Sequence, residues 1–557
     1  MRKIILFVAL FIFVLSIFSC NKIPKHAKYI PKNALAVMTV DMNKMSKKLI
    51  WNVLTGSEIF DDMQKDIKNE ESKKAMKDFS NIGIDPTETI YLFYNGNMKN
   101  ENHPCLLAAM KDASKFETFI NKNYPEIKLE ENKDFKTCIV EKKYIIAWNK
   151  DAAIATLINS NEFNFETEET DSNAVANLID GTNEKTYLAE LFTQKSNNAI
   201  TDISNFKKLQ NEGHDFAVWV NYEELYNQSA AFGGESMKAF LKPEYMKDAA
   251  LAMGFNFEKG SLDMEMDYYF SEKLASIYKK YATDNVNADL VNNIPSNNIA
   301  FIGAYNIKPK MIQAFLEEFK LDGMANLGLA AVGMSMETIM SAFKGDMVYA
   351  MSDLKMKPKD STKNDFSFSN DTPDFNVTYA MSIDDVTSFE KILNKGVKEN
   401  FLTKNGNSYS LPNSQEGVLI YDKNKMVFSN HNKIAEQYMT AKGNAKENIP
   451  AEVWKHIANN PISFYADLKK IMEVVPNDEK DEANKQLMSE LKTMFTYAQL
   501  YGGKMKGNAN HLEGNLYFAN KDENAMIQLI KLGIKAKKVQ DAKDKNVEEP
   551  IVDSLAI

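Results

Sequence analysis

The side chains able to do chemistry are sparse and scattered. Six histidines, His26, His103, His214, His431, His456 and His511, follow no ligand-like spacing, so a metal centre has no local signature and surface or loop positions are expected for them. Ser-x-x-Lys occurs at Ser276/Lys279, Ser388/Lys391 and Ser489/Lys492. That spacing sets an amine beside a hydroxyl nucleophile on a helix, but neither Ser-Asp-Asn nor Lys-Thr-Gly accompanies it. The chain has no His-Glu-x-x-His, Gly-x-Ser-x-Gly, phosphate-binding loop, Gly-x-Gly-x-x-Gly or EF-hand loop. No catalytic, cofactor-binding or metal-ligating residue is therefore assigned and no cofactor is expected. Dispersed carboxylates remain the only route to hydrolysis of peptide or glycan.

Composition narrows the partners further. The 557 residues are 44% hydrophobic and 26% charged, enough apolar material for two to four domains. The net charge is -9, and it is two units more negative without Arg2 and Lys3. With no basic excess to release counterions, nucleic acid is excluded as a partner. Arg2 is the only arginine, so no bidentate guanidinium clamp can form in the rest of the chain. The four tryptophans, Trp51, Trp148, Trp219 and Trp454, fall at apolar positions and are expected in the core rather than on a glycan.

The cysteines separate by position. Cys105 and Cys138 sit in apolar, strand-like runs, Cys105–Met110 and Thr137–Val140. Neighbouring strands would allow a disulfide between them in an oxidising compartment; two buried thiols are the alternative. Cys20 ends a different segment. Met1-Arg2-Lys3 leads into an unbroken apolar run, Ile4–Leu15, and then Ser16-Ile17-Phe18-Ser19-Cys20, the anatomy of a secretory signal peptide and too short to span a bilayer.

Ile17-Phe18-Ser19-Cys20 resembles the lipobox of bacterial lipoproteins. The resemblance implies cleavage before Cys20, lipidation of its thiol with acylation that includes palmitate, and membrane attachment through that residue. No acidic cluster follows in Asn21–His26, which favours the outer membrane with the body facing the periplasm.

Behind the anchor, the elements occur twice. Ile30–Met38 and Ile294–Ile302 are each a Pro-x-Asn turn into an apolar strand. Asp112–Lys122 matches Asp385–Lys395 without a gap; in both, a hydroxyl residue, Ser114 or Thr387, precedes a glutamate by three positions, which predicts a capping box. Lys142–Trp148 pairs with Asn424–Phe428 as second hairpin arms leading into helices, Phe216–Asn221 with Ile462–Asp467, and Leu262–Phe270 with the strand ending at Phe518. The expected class is α+β: two tandem, structurally similar halves, each a mainly antiparallel sheet packed against helices. The divisions are a signal peptide over 1–19, a tether over 20–28, halves over 29–285 and 286–535, a polar insertion near 355–376 and a flexible tail over 536–557.

Together the lipobox-like start, the Pro31–Ala34 and Pro295–Asn298 turns and the doubled order resemble large bacterial lipoprotein families of unknown function, over nearly the whole mature chain. The expected role is non-enzymatic binding or scaffolding in the cell envelope, through a seam between halves or an exposed sheet face. The membrane, through Cys20, and another envelope protein or a glycan are the expected partners. An envelope hydrolase is the alternative.

Overall fold

Runs rich in valine, isoleucine and aromatic residues form strands, and the segments between them with apolar residues at helical spacing form helices. The computed structural model describes residues 23–48, 50–56, 60–61, 73–74, 79–97, 101–158, 181–232, 242–282, 284–358, 371–412, 417–475 and 482–547. The leader and Cys20 lie outside the described residues. Among the described residues no helix is long and apolar enough to cross a membrane. The chain divides into two compact units, Met1–Asn256 and Phe257–Ile557.

The first unit contains β1 (Ala36–Val40), β2 (Ile90–Asn97), β3 (Glu101–Ala109), β4 (Glu130–Glu131), β5 (Lys136–Val140), β6 (Tyr144–Trp148), β7 (Ala152–Leu157), β8 (Phe216–Asn221) and, up to Asn256, β9 (Ala250–Glu258). Their pairing order is β4-β5-β6-β7-β3-β2-β1-β8-β9, antiparallel throughout. The second contains β10 (Ser261–Tyr269), β11 (Ile299–Asn306), β12 (Phe343–Pro358), β13 (Asp371–Ile383), β14 (Thr403–Asn405), β15 (Ser408–Ser410), β16 (Val418–Tyr421), β17 (Lys425–Ser429), β18 (Ile462–Asp467), β19 (Phe495–Lys506) and β20 (Ala509–Phe518). Here the order is β14-β15-β16-β17-β13-β12-β11-β18-β19-β20-β10, again antiparallel. From β11 to β19 it repeats the first order strand for strand. The class is α+β. Because β10 pairs with β20 along its whole length, it belongs to the second unit, and the units divide earlier than the 285/286 boundary read from the sequence repeat.

Several local expectations change. The helices Ala113–Asn123 and Val386–Lys398 are capped by Asp112 and Asp385, whose carboxylates accept the amides of Lys115 (2.9 Å) and of Thr387 and Ser388 (3.1 and 3.0 Å). An aspartate two residues upstream thus takes the role expected of Ser114 and Thr387, since its charged oxygens accept more strongly than a hydroxyl. Strand β6 leads into β7 rather than a helix, which makes β7, not β6, the positional counterpart of β17. The expected polar insertion is partly ladder: Lys355 pairs with Asp374 and Pro358 with Asp371, while 359–370 lie outside the described residues. The tail expected from 536 is helical to Val547, because the helix that starts at Ala525 meets no Gly or Pro after Gly533; 548–557 are not described.

In the first unit one sheet face is sealed by helices. Val37, Tyr91, Leu107, Ile145, Ile154 and Trp219 point into it and are buried. The Trp219 indole donates to Asn205 Oδ1 (3.1 Å) on the helix Ser204–Glu212 and meets Phe206 edge-on. The helix Ala113–Asn123 covers only one end of the opposite face, where Phe116 and Ile120 pack with Trp148 and Ala153.

Candidate functional site

Away from that helix, the second face of the first unit's sheet stays open. Successive residues of a strand point to opposite faces, and paired residues on neighbouring strands share one. The register therefore draws an apolar row across seven strands: Ile146–Ala155–Leu106–Leu92–Met38–Val218–Met253. Met38, Leu92 and Leu106, at its centre, remain 44, 47 and 44% exposed. Covering each of them would stabilise by roughly 1 kcal/mol.

A groove of about 490 Å³ runs over this row, bounded by Met38, Leu92, Tyr94, Leu106, Tyr144 and Leu157. No Asp, Glu, Lys or His lines it. The Tyr94 hydroxyl on this face is spent on Asn102 Oδ1, and Thr156, whose side chain lies on the sealed face with Cys105, donates to the Pro104 carbonyl (3.0 Å). The second unit has the same asymmetry, with Phe428–Tyr379–Tyr349–Gly303–Phe464–Leu500 as a row on the face opposite buried Ile302, Val348 and Ala380.

The two cysteines are unbridged. Cys105 pairs with Thr156 on β7, whereas Cys138 pairs with Ile146 on β6, in the row of Leu106. They face opposite sides of the sheet and stand three strand spacings apart, about 14 Å, beyond the roughly 7 Å that a disulfide tolerates. The bridge is thus replaced by its alternative, two buried thiols, each pushed up to about 12 by burial and so poorly nucleophilic.

None of the Ser-x-x-Lys pairs forms a nucleophilic dyad in the contacts its members make. Ser276 donates to Lys273 O, and Lys279 binds Asn508 Oδ1. Ser388 accepts from Ser341, and Lys492 donates to Val475 O. Contrary to expectation, His26, His103, His214 and His511 are buried, beside Tyr91, Tyr187, Asn256 and Asp267 respectively.

His511 belongs to a polar chain in the second unit. Its Nδ1 lies 2.6 Å from Asp267 Oδ1 and its Nε2 3.2 Å from Glu513 Oε1; Tyr501 donates to Glu513 Oε2 (3.0 Å), and the His456 ring stacks on Tyr501 at 3.5 Å. A bulge at Gly502 and Gly503 adjusts the register here, and a Cβ on Gly502 would lie 2.3 Å from the His511 carbonyl. With both nitrogens directed at carboxylates, the imidazole is an ionic clamp rather than a general base for a hydroxyl nucleophile. The hydrogen bond with Asp267 raises the pKa of His511. Burial pushes Glu513 up, but its bonds to His511 and Tyr501 outweigh that and hold its carboxyl below the usual range.

The pH dependence follows. The His511 contribution to stability is complete below the ordinary value of 6.5 and is lost as pH rises through its raised value; that of Glu513 is complete above 4.5 and is lost as pH falls through its depressed one. The clamp is therefore strongest between those two pH values. Histidine NMR titration should show Asp267→Asn lowering the midpoint of His511; an unchanged midpoint would mean that Asp267 does not hold the imidazolium.

A second polar cavity, about 300 Å³ in the first unit, is lined by Asp41, Glu88 and His214 among others. Burial, with the charges of Asp85 and Asp41, raises Glu88. Asp41 also has a structural duty, accepting the Lys44 amide at 2.9 Å as a helix cap.

Sequence reasoning missed the clamp, and it expected an exposed sheet face without locating it. The signals were there: Asp263, Glu265 and Asp267 alternate along β10 as His511, Glu513 and Asn515 do along β20, and β1 and β3 are apolar at consecutive rather than alternate positions.

A family model described as domain of unknown function (DUF4836) matches residues 26–526. The chain belongs to the DUF4836 family. The match brings this DUF4836 protein no assigned activity and covers both units. No curated protein matches it. Among solved structures, crystal form IV of TP0453 is similar at TM-score 0.25 and 11% identity, over 46% of this chain and 86% of that one. Crystal form III of TP0453 gives 0.25 and 11%, over 47% and 89%.

Proposed function

We propose that this protein is a lipid-anchored component of the cell envelope, held in the outer membrane through Cys20 with its body facing the periplasm, and that it binds an apolar partner without catalysis. The observation that carries the binding role is the open row centred on Leu92: a sheet face sealed on one side and half-exposed on the other needs a partner to bury it. The attachment rests on the apolar leader ending at Ser19-Cys20. Fractionation of cells tests it. Cys20→Ala should move the protein from the membrane to the soluble fraction, since several acyl chains together hold almost irreversibly; membrane retention would overturn the anchor.

Hydrolysis of envelope peptide or glycan is the second reading, and the cavity of Asp41 and raised Glu88 is the observation in its favour. Digestion of purified peptidoglycan decides between them. Product release that disappears in Glu88→Gln would establish the enzyme, and its absence in the wild type leaves binding.

A further inference from the structure

We infer that the groove over Leu92 and Leu106 takes the aliphatic chain of a lipid; this rests on the apolar-face reading above and names its ligand. Charge is the first argument. Without an acid, a lysine or a histidine in its lining, the groove matches an uncharged hydrocarbon and offers nothing to a charged headgroup, which must stay outside.

Hydrogen bonding is the second. β2 is paired by β1 and β3, and β3 also by β7, so the groove floor has both flanks of its central strands occupied. A peptide laid across that floor would leave its own amides unpaired, and it could not add as a strand there. A sugar meets a similar obstacle, because Tyr94 already donates within the sheet and no charged side chain lines the groove to bind its hydroxyls. A methylene chain has no polar group to satisfy. Size agrees, as about 490 Å³ falls in the range of roughly 300–1,000 Å³ typical of small-molecule sites. Met38, flexible and polarisable, lets the wall adapt to the chain.

The test uses the full chain purified in mild detergent and palmitic acid carrying a photoactivatable diazirine at its chain end. Labelling should concentrate on peptides containing Leu92 and Leu106 and fall at least tenfold with excess unlabelled palmitate. It should fall equally in the double variant Leu92→Asp/Leu106→Asp, with the urea midpoint confirming its fold. Competition on the wild type remains decisive even if that variant does not fold. Labelling spread over the surface, or insensitive to palmitate, would overturn the inference. If a photoactivatable amphipathic peptide labels these strands while the palmitate probe does not, the lipid is wrong and the apolar-face reading stands. Failure of both probes removes both.

Discussion

Leu107→Asp should abolish the cooperative unfolding of the first unit, whereas Leu106→Asp, one residue earlier on the same strand, should leave it almost unchanged. Leu107 is 0% exposed and Leu106 44%. Truncating a buried leucine alone costs about 2–5 kcal/mol, and a carboxylate placed there must also be desolvated without a partner. That approaches the 5–15 kcal/mol or so that holds a typical domain together. At Leu106 the carboxylate stays in water, and a change within about 1 kcal/mol is expected. Urea titration read by the fluorescence of Trp148 and Trp219, both buried in this unit, separates the two cases. Equal losses would show that the two faces are equally sealed.

The fold was more legible in the sequence than the site. Phe116 and Phe389, aligned in the gapless match of Asp112–Lys122 with Asp385–Lys395, occupy the same buried place on equivalent helices, because the spacing of apolar residues along a helix depends only on local geometry. Pairing partners are not local. That Cys105 and Cys138 would face opposite sides of the sheet depends on β7 and β6 lying between them, which the apolar runs around each cysteine do not reveal. His511 and Asp267 are 244 positions apart and meet only because β10 pairs with β20. The caps were misread for a different reason: two candidate residues stood within one turn, and the stronger acceptor won.

The open face has one further consequence of large size. A photoreactive benzophenone side chain at position 92 projects into the groove, where it reacts with whatever covers the row; the same side chain at position 142, on the β5–β6 turn, faces solvent. Crosslinking in intact cells from these two positions, with the adducts identified by mass spectrometry, tests the central claim most directly. The account predicts a discrete adduct from position 92, many-fold stronger than any from position 142, with a lipid mass if the groove holds an aliphatic chain. Equal, weak labelling from both positions would contradict it.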